Sequence, residues 1–237
     1  MSNRQVVFLH VPKTGGTSLR NGISRLFDPT ELFFIYNRQE QFHSIDKLKS
    51  LTSEQKAKYL VYMGHMPFNA ELLAEIEPHY VTMLRHPVER VISYYHHVMT
   101  NNPKWSDDKV SLMKYVEISE DRQLSNHQTR LLSGRVQGGT RQGHLDGALE
   151  NIQTKFSFVG LTERFDESAV GMCKAVGWRP FRIRKDNEGI GKPSAEFYSS
   201  RELKAIEDLN EYDMELYRVA ASQFEQRCKS LRISPDD

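Results

Sequence analysis

Residues 5–19 read Gln5-Val6-Val7-Phe8-Leu9-His10-Val11-Pro12-Lys13-Thr14-Gly15-Gly16-Thr17-Ser18-Leu19, and the reading of this stretch decides the fold class. The apolar run ending at Leu9 predicts a short buried strand. Leu19, Ile23 and Leu26 then recur at i, i+4 and i+7, the period of a helix. The turn between them has the parts of an anion cradle. Two glycines let the backbone fold sharply, so that successive N–H groups can approach oxygen atoms. Thr17 or Ser18 can cap the helix, whose N-terminus adds a partial positive charge. Lys13 brings a full charge to the mouth. In the Walker A pattern the lysine follows the last glycine and precedes a magnesium-binding Ser/Thr; here it precedes both glycines.

The same alternation continues along the chain. Residues 59–63, 80–84 and 156–161 predict three more strands, and residues 44–60, 70–76, 87–95 and 165–175 predict helices. Pro87 suits the first position of a helix that carries Val88, Val91, Ile92 and Tyr95. Residues 200–229 predict one long helix or two broken ones. Strands alternating with helices imply an α/β fold: a P-loop-like, three-layer arrangement around a mainly parallel sheet, as one domain over residues 1–237. Ligands of such sheets bind at the carboxyl ends of the strands.

Composition narrows the function. The 237 residues carry 32 basic and 31 acidic side chains, a net charge of +1, which argues against a general nucleic-acid binder but not against a local anion site. No apolar run is long enough to span a bilayer, and no signal-peptide pattern precedes the first strand. Two cysteines, Cys173 and Cys228, are too few for a disulfide framework or a Cys-rich zinc site. A cytoplasmic protein is the expectation. His96 and His97 are adjacent and diverge on a helix, and no His-Glu-x-x-His occurs, so no metal site is expected.

Two further segments fall at strand ends. Tyr62-Met63-Gly64-His65-Met66-Pro67-Phe68 follows the second strand and places His65 where it can reach the cleft; with an unperturbed pKa near 6.5, a histidine can serve as general base. Thr82-Met83-Leu84-Arg85-His86-Pro87-Val88-Glu89-Arg90-Val91-Ile92-Ser93-Tyr94-Tyr95 is again strand, turn and helix. Arg85 sits on the binding rim, and its guanidinium with the Ser93 hydroxyl suits a phosphate monoester; pairing of Arg85 with Glu89 is the competing reading.

In this order the three segments resemble the PAPS-dependent sulfotransferase superfamily, and within it the branch of the heparan sulfate and uronyl 2-O-sulfotransferases. The resemblance implies 3′-phosphoadenosine-5′-phosphosulfate (PAPS) as sulfuryl donor, without a metal. It carries phosphosulfate binding onto Lys13, Thr14, Gly15, Gly16, Thr17 and Ser18, 3′-phosphate binding onto Arg85 and Ser93, and the base onto His65, with Lys13 also catalytic. Arg184 and Lys192, in a basic stretch, fall where the family closes over the nucleotide. Met63 stands where relatives acting on polysaccharides carry a second histidine two positions before the base.

The chemistry is consistent with this. An acceptor hydroxyl attacks sulfur in line and loses its proton to a base within about 3 Å; His65 is the candidate and His10 the next. Lys13 and the loop N–H groups stabilise charge growing on the bridging oxygen. Residues 122–144 contain four arginines and no acidic residue; two readings stand open, a solvated loop or a mobile basic cover favouring an anionic acceptor such as an acidic sugar. Residues 126–130 predict a helix start facing the site, with no role assigned. The alternatives to sulfuryl transfer are a P-loop kinase or hydrolase, and a non-catalytic nucleotide-binding protein of the same fold.

Overall fold

The computed structural model describes residues 4–36, 44–101, 110–119, 121–137, 139–180 and 195–233. Five strands, β1 (Val6–Leu9), β2 (Leu32–Ile35), β3 (Val61–Gly64), β4 (His79–Leu84) and β5 (Phe156–Leu161), form one parallel sheet in the order β2-β3-β1-β4-β5. Helices flank the sheet, so the α/β expectation holds. They are α1 (Gly16–Ser24), α2 (Ile45–Lys49), α3 (Ser53–Ala57), α4 (Pro87–Asn101), α5 (Leu112–Ile118), α6 (His127–Ser133), α7 (Gln142–Thr154), α8 (Phe165–Val176), α9 (Ser200–Leu209) and α10 (Glu211–Ser230). No helix of the described residues is long and apolar enough to cross a membrane.

β1 is the central strand and all four of its side chains are buried, which is why it reads as an uninterrupted apolar run. Its register fixes the site. Leu9 pairs with Gly64 of β3, and Gly64 pairs with Ile35 of β2. The residues that follow, His10, His65 and Tyr36, therefore leave the sheet side by side at its carboxyl edge. A second core, built on Val91, Ile92, Tyr115 and Ile206, joins α4, α5 and α9 beside the main one.

Three local expectations are corrected. Leu32–Ile35 is a strand that the periodicity did not predict: four apolar residues cannot be told from loop or helix by period alone. Residues 44–60 hold two short helices, because the Thr52 side chain accepts from Gln55 N and caps a new one. The N-cap of α1 is Gly15, with no side-chain cap from Thr17 or Ser18. In the tail, the two-helix alternative is the one observed, with the break at Asn210.

Helices α6 and α10 cap each other. Asn126 takes the left-handed conformation (φ 44°), which its short polar side chain tolerates, and its Oδ1 accepts from Tyr212 N and Asp213 N, both at 3.0 Å. Asp213, fully buried, accepts from Gln128 N at 3.1 Å and Thr129 N at 2.7 Å. Its charge also faces the buried Arg90 and Arg130. Asp213→Ala removes the cap and takes away the carboxylate that faces two buried cations, so it should cost about 3–5 kcal/mol. Deleting the exposed Lys204–Asp208 pair should leave stability nearly unchanged, because solvent screens it. Urea titration of both variants measures the contrast, and equal losses would show that Asp213 is not the tie described.

Candidate active site

The loop between β1 and α1 holds its shape through its own backbone. Lys13 (φ 71°) and Gly15 (φ 77°) are both left-handed, the alternation that turns successive N–H groups toward one point. Lysine pays a steric penalty there, since its Cβ crowds the neighbouring carbonyl. Thr14 is buried and donates through Oγ1 to Val11 O at 2.8 Å, closing the turn from beneath. Gly16 has no alternative: a Cβ there would lie 2.1 Å from the His10 ring. Thr17 is half-buried and Ser18 buried in the first turn of α1. The loop expected from sequence is thus present, with α1 directed at it.

His65 is exposed at the end of β3, and its Nδ1 lies 2.8 Å from the carbonyl oxygen of His10. A carbonyl only accepts, so Nδ1 carries the proton and Nε2 the lone pair. The His10 ring packs against His65 with centroids 4.3 Å apart, and Tyr36 meets His65 edge-on at 4.8 Å. His10, the other histidine of this row, is buried. Burial first, then the charges of His65, Arg20 and Lys13, hold its pKa well below the usual histidine value. Tyr36 is raised to about 12, chiefly by burial, and so keeps its proton at neutral pH.

Arg85 follows β4, next to β1, and its turn is held at several points. Gln128, fully buried, accepts from Arg85 N at 3.0 Å and donates to Arg85 O at 2.9 Å. Thr162 donates to Leu84 O at 3.0 Å, and Glu163 accepts from His86 N at 2.9 Å. The guanidinium reaches Lys13 O at 3.5 Å, which brings the first and third motifs together. It also pairs with Glu89 at 3.2 Å, so the competing reading of Arg85 is present in the structure. Glu89 accepts in addition from Ala195 N at 3.1 Å. Ser93 stands one turn beyond Glu89 on the same face of α4 and is half-buried; no hydrogen bond joins it to Arg85.

Arg184 and Lys192 lie outside the described residues. Among the described residues no group of three or more His, Cys, Asp or Glu could hold a metal ion. Residues 122–124, 127–133 and 142–144 are helical, and three of the four arginines tie down carbonyls: Arg122 to Val136 O at 3.1 Å, Arg135 to Gly143 O at 3.2 Å, and Arg130 to Arg122 O. The expected helix start at residues 126–130 is there, and it supplies Gln128 to the Arg85 turn. His127 is held well below the usual histidine pKa by burial and by Arg90, Arg130 and His65. Tyr36, Gln128 and Asp213 were not singled out from sequence, because each matters through a partner distant along the chain.

Comparison with known proteins accords with this architecture. The mouse sulfotransferase SULT7A1, in a crystal structure complexed with PAP, superposes over 96% of this chain and 89% of its own, with a TM-score of 0.51 at 14% identity. A sulfotransferase from Alicyclobacillus acidocaldarius aligns over 88% of this chain and 96% of its own, with a TM-score of 0.46 at 14% identity. No curated protein sequence matches the chain significantly. The family model described as "Sulfotransferase family" matches residues 2–219, nearly the whole chain, and the chain therefore belongs to the sulfotransferase family.

Proposed function

We propose that the protein transfers a sulfuryl group from PAPS to an acceptor hydroxyl, with His65 as general base. The observation that carries this reading is one of placement. The anion loop, His65 and Arg85 follow β1, β3 and β4, three strands adjacent in the sheet, at the edge where parallel sheets bind ligands. PAPS supplies the sulfuryl group, whose bond to the bridging oxygen breaks as a bond to the acceptor oxygen forms, leaving 3′-phosphoadenosine-5′-phosphate (PAP).

The chain's own groups do the rest. The loop N–H groups and Lys13 hold the 5′ end and stabilise the charge left on its oxygen. Nε2 of His65 takes the acceptor proton while the His10 carbonyl fixes the ring through Nδ1–H. Arg85 and Ser93 hold the 3′-phosphate, with Glu89 orienting the guanidinium. The likeness of the motifs to the uronyl 2-O-sulfotransferase branch is what favours a carbohydrate acceptor. The arginines of residues 122–144 do not add to that preference, since three of them are engaged with carbonyls.

Incubation with PAPS labelled at sulfur and a panel of glycans, phenols, lipids and small alcohols should label one acceptor class. Labelling of none, with phosphate transferred from ATP instead, would replace this reading with the kinase alternative. In the same assay His65→Ala should lose turnover by about two to four orders of magnitude yet bind PAP normally. Lys13→Ala should lose both turnover and donor affinity, because it touches the anion in ground and transition states. A fully active His65→Ala enzyme would remove the base assignment.

Arg85→Ala should weaken PAP relative to adenosine 5′-phosphate by about 10- to 100-fold, the worth of a charge-assisted contact of about 1.5–3 kcal/mol. Ser93→Ala should cost about 1 kcal/mol, as a neutral donor does. Calorimetric titration of both nucleotides reads these differences. Equal losses for the two nucleotides would assign Arg85 to the fold or to the 5′ end.

A further inference from the structure

His10 follows β1, and four neighbours fix its ring. Its ring stacks on Phe8 at 5.5 Å and packs on His65 at 4.3 Å. Its Cδ2 and Nε2 lie 2.1 and 2.2 Å from where a Cβ on Gly16 would stand, so this edge of the ring borders the anion loop. Its Nδ1 lies 2.9 Å from the Tyr36 hydroxyl. Arg20, which can only donate, hydrogen-bonds the Tyr36 oxygen and lies over its ring at 5.3 Å.

These partners order the protons. Arg20 can only give a hydrogen bond to Tyr36, which leaves the Tyr36 proton to be directed at His10 Nδ1. A neutral imidazole with an accepting Nδ1 carries its proton on Nε2. Burial and the cations around it keep the ring neutral. Among the described residues nothing accepts from His10 Nε2, and it is not enclosed as the unpartnered Nε2 of His127 is.

We propose that His10 Nε2–H is a further donor of the anion loop, hydrogen-bonding a non-bridging oxygen of the nucleotide 5′-phosphate beside Gly16. The proposal rests on the reading that this loop holds a 5′-phosphate. No proton is transferred: His10 stays neutral and contributes direction, where Lys13 contributes charge. The two packed histidines then have opposite tautomers, Nε2–H on His10 facing the donor and Nδ1–H on His65 leaving its Nε2 for the acceptor.

Long-range proton–nitrogen spectra of the labelled full chain, titrated with PAP, test this. The His10 proton should sit on Nε2, and its resonance should move together with the Gly15 and Gly16 amides. A proton on Nδ1, or an unmoved Nε2–H while those amides move, overturns the proposal alone. Unmoved amides in the PAP-bound protein overturn the loop reading and this proposal with it. Separately, His10→Phe keeps a ring of similar shape without the donor. It should weaken PAP by about 10- to 100-fold while leaving adenosine 3′-phosphate, which lacks the 5′ group, unchanged. Equal weakening of both nucleotides would reduce His10 to a packing role.

Discussion

The pairing of β1 with β3 on one side and β4 on the other is the constraint on which the site depends. Parallel register sets which residues emerge together, and a slip of one position would send every side chain to the other face. Because Leu9 is opposite Gly64, the carbonyl of His10 stands where His65 Nδ1 can reach it. The His65 ring is thus oriented by backbone that is itself fixed by the central strand. β2 adds Tyr36 to the same row through its pairing with β3.

A second set of ties holds the β4 side. Gln128 clamps both backbone groups of Arg85, and α6, which carries Gln128, is anchored through Asp213 at the start of α10. A segment from the C-terminal third of the chain therefore sets the position of an arginine on the binding rim. The cost of burying Asp213, Arg90 and Arg130 together is offset in part by geometry: the carboxylate accepts two backbone N–H groups and faces both cations, while Arg90 Nε and Nη1 have no hydrogen-bond partner among the described residues. Buried charge of this kind favours one arrangement of α4, α6 and α10 over others.

What the sequence disclosed, and what it withheld, follows from range. The strand–loop–helix unit at residues 5–24 is local, since apolar run, glycine pair and helical period are all contiguous, and apart from its helix cap it forms as the sequence reads. Strand ends placed His65 and Arg85 at the rim for the same reason. The cap of α1 was misassigned because Gly15 adopts a left-handed conformation that competes with a side-chain cap and is not encoded by a Ser/Thr signal. Leu32–Ile35 escaped because its four residues carry no distinguishing period. Tyr36, Gln128 and Asp213 act across 26, 43 and 84 or more positions, and no local pattern reports such contacts.

A crystal structure of the protein with PAP tests the central claim most directly, that three adjacent strand ends form one site for a 3′-phosphoadenosine nucleotide. The account places the 5′-phosphate within hydrogen-bond distance of the amides of residues 15–18 and the Lys13 ammonium, the 3′-phosphate at Arg85 and Ser93, and His65 Nε2 facing the 5′ end. A nucleotide bound with its 5′-phosphate away from residues 13–18, or with its 3′-phosphate free of Arg85, would contradict it.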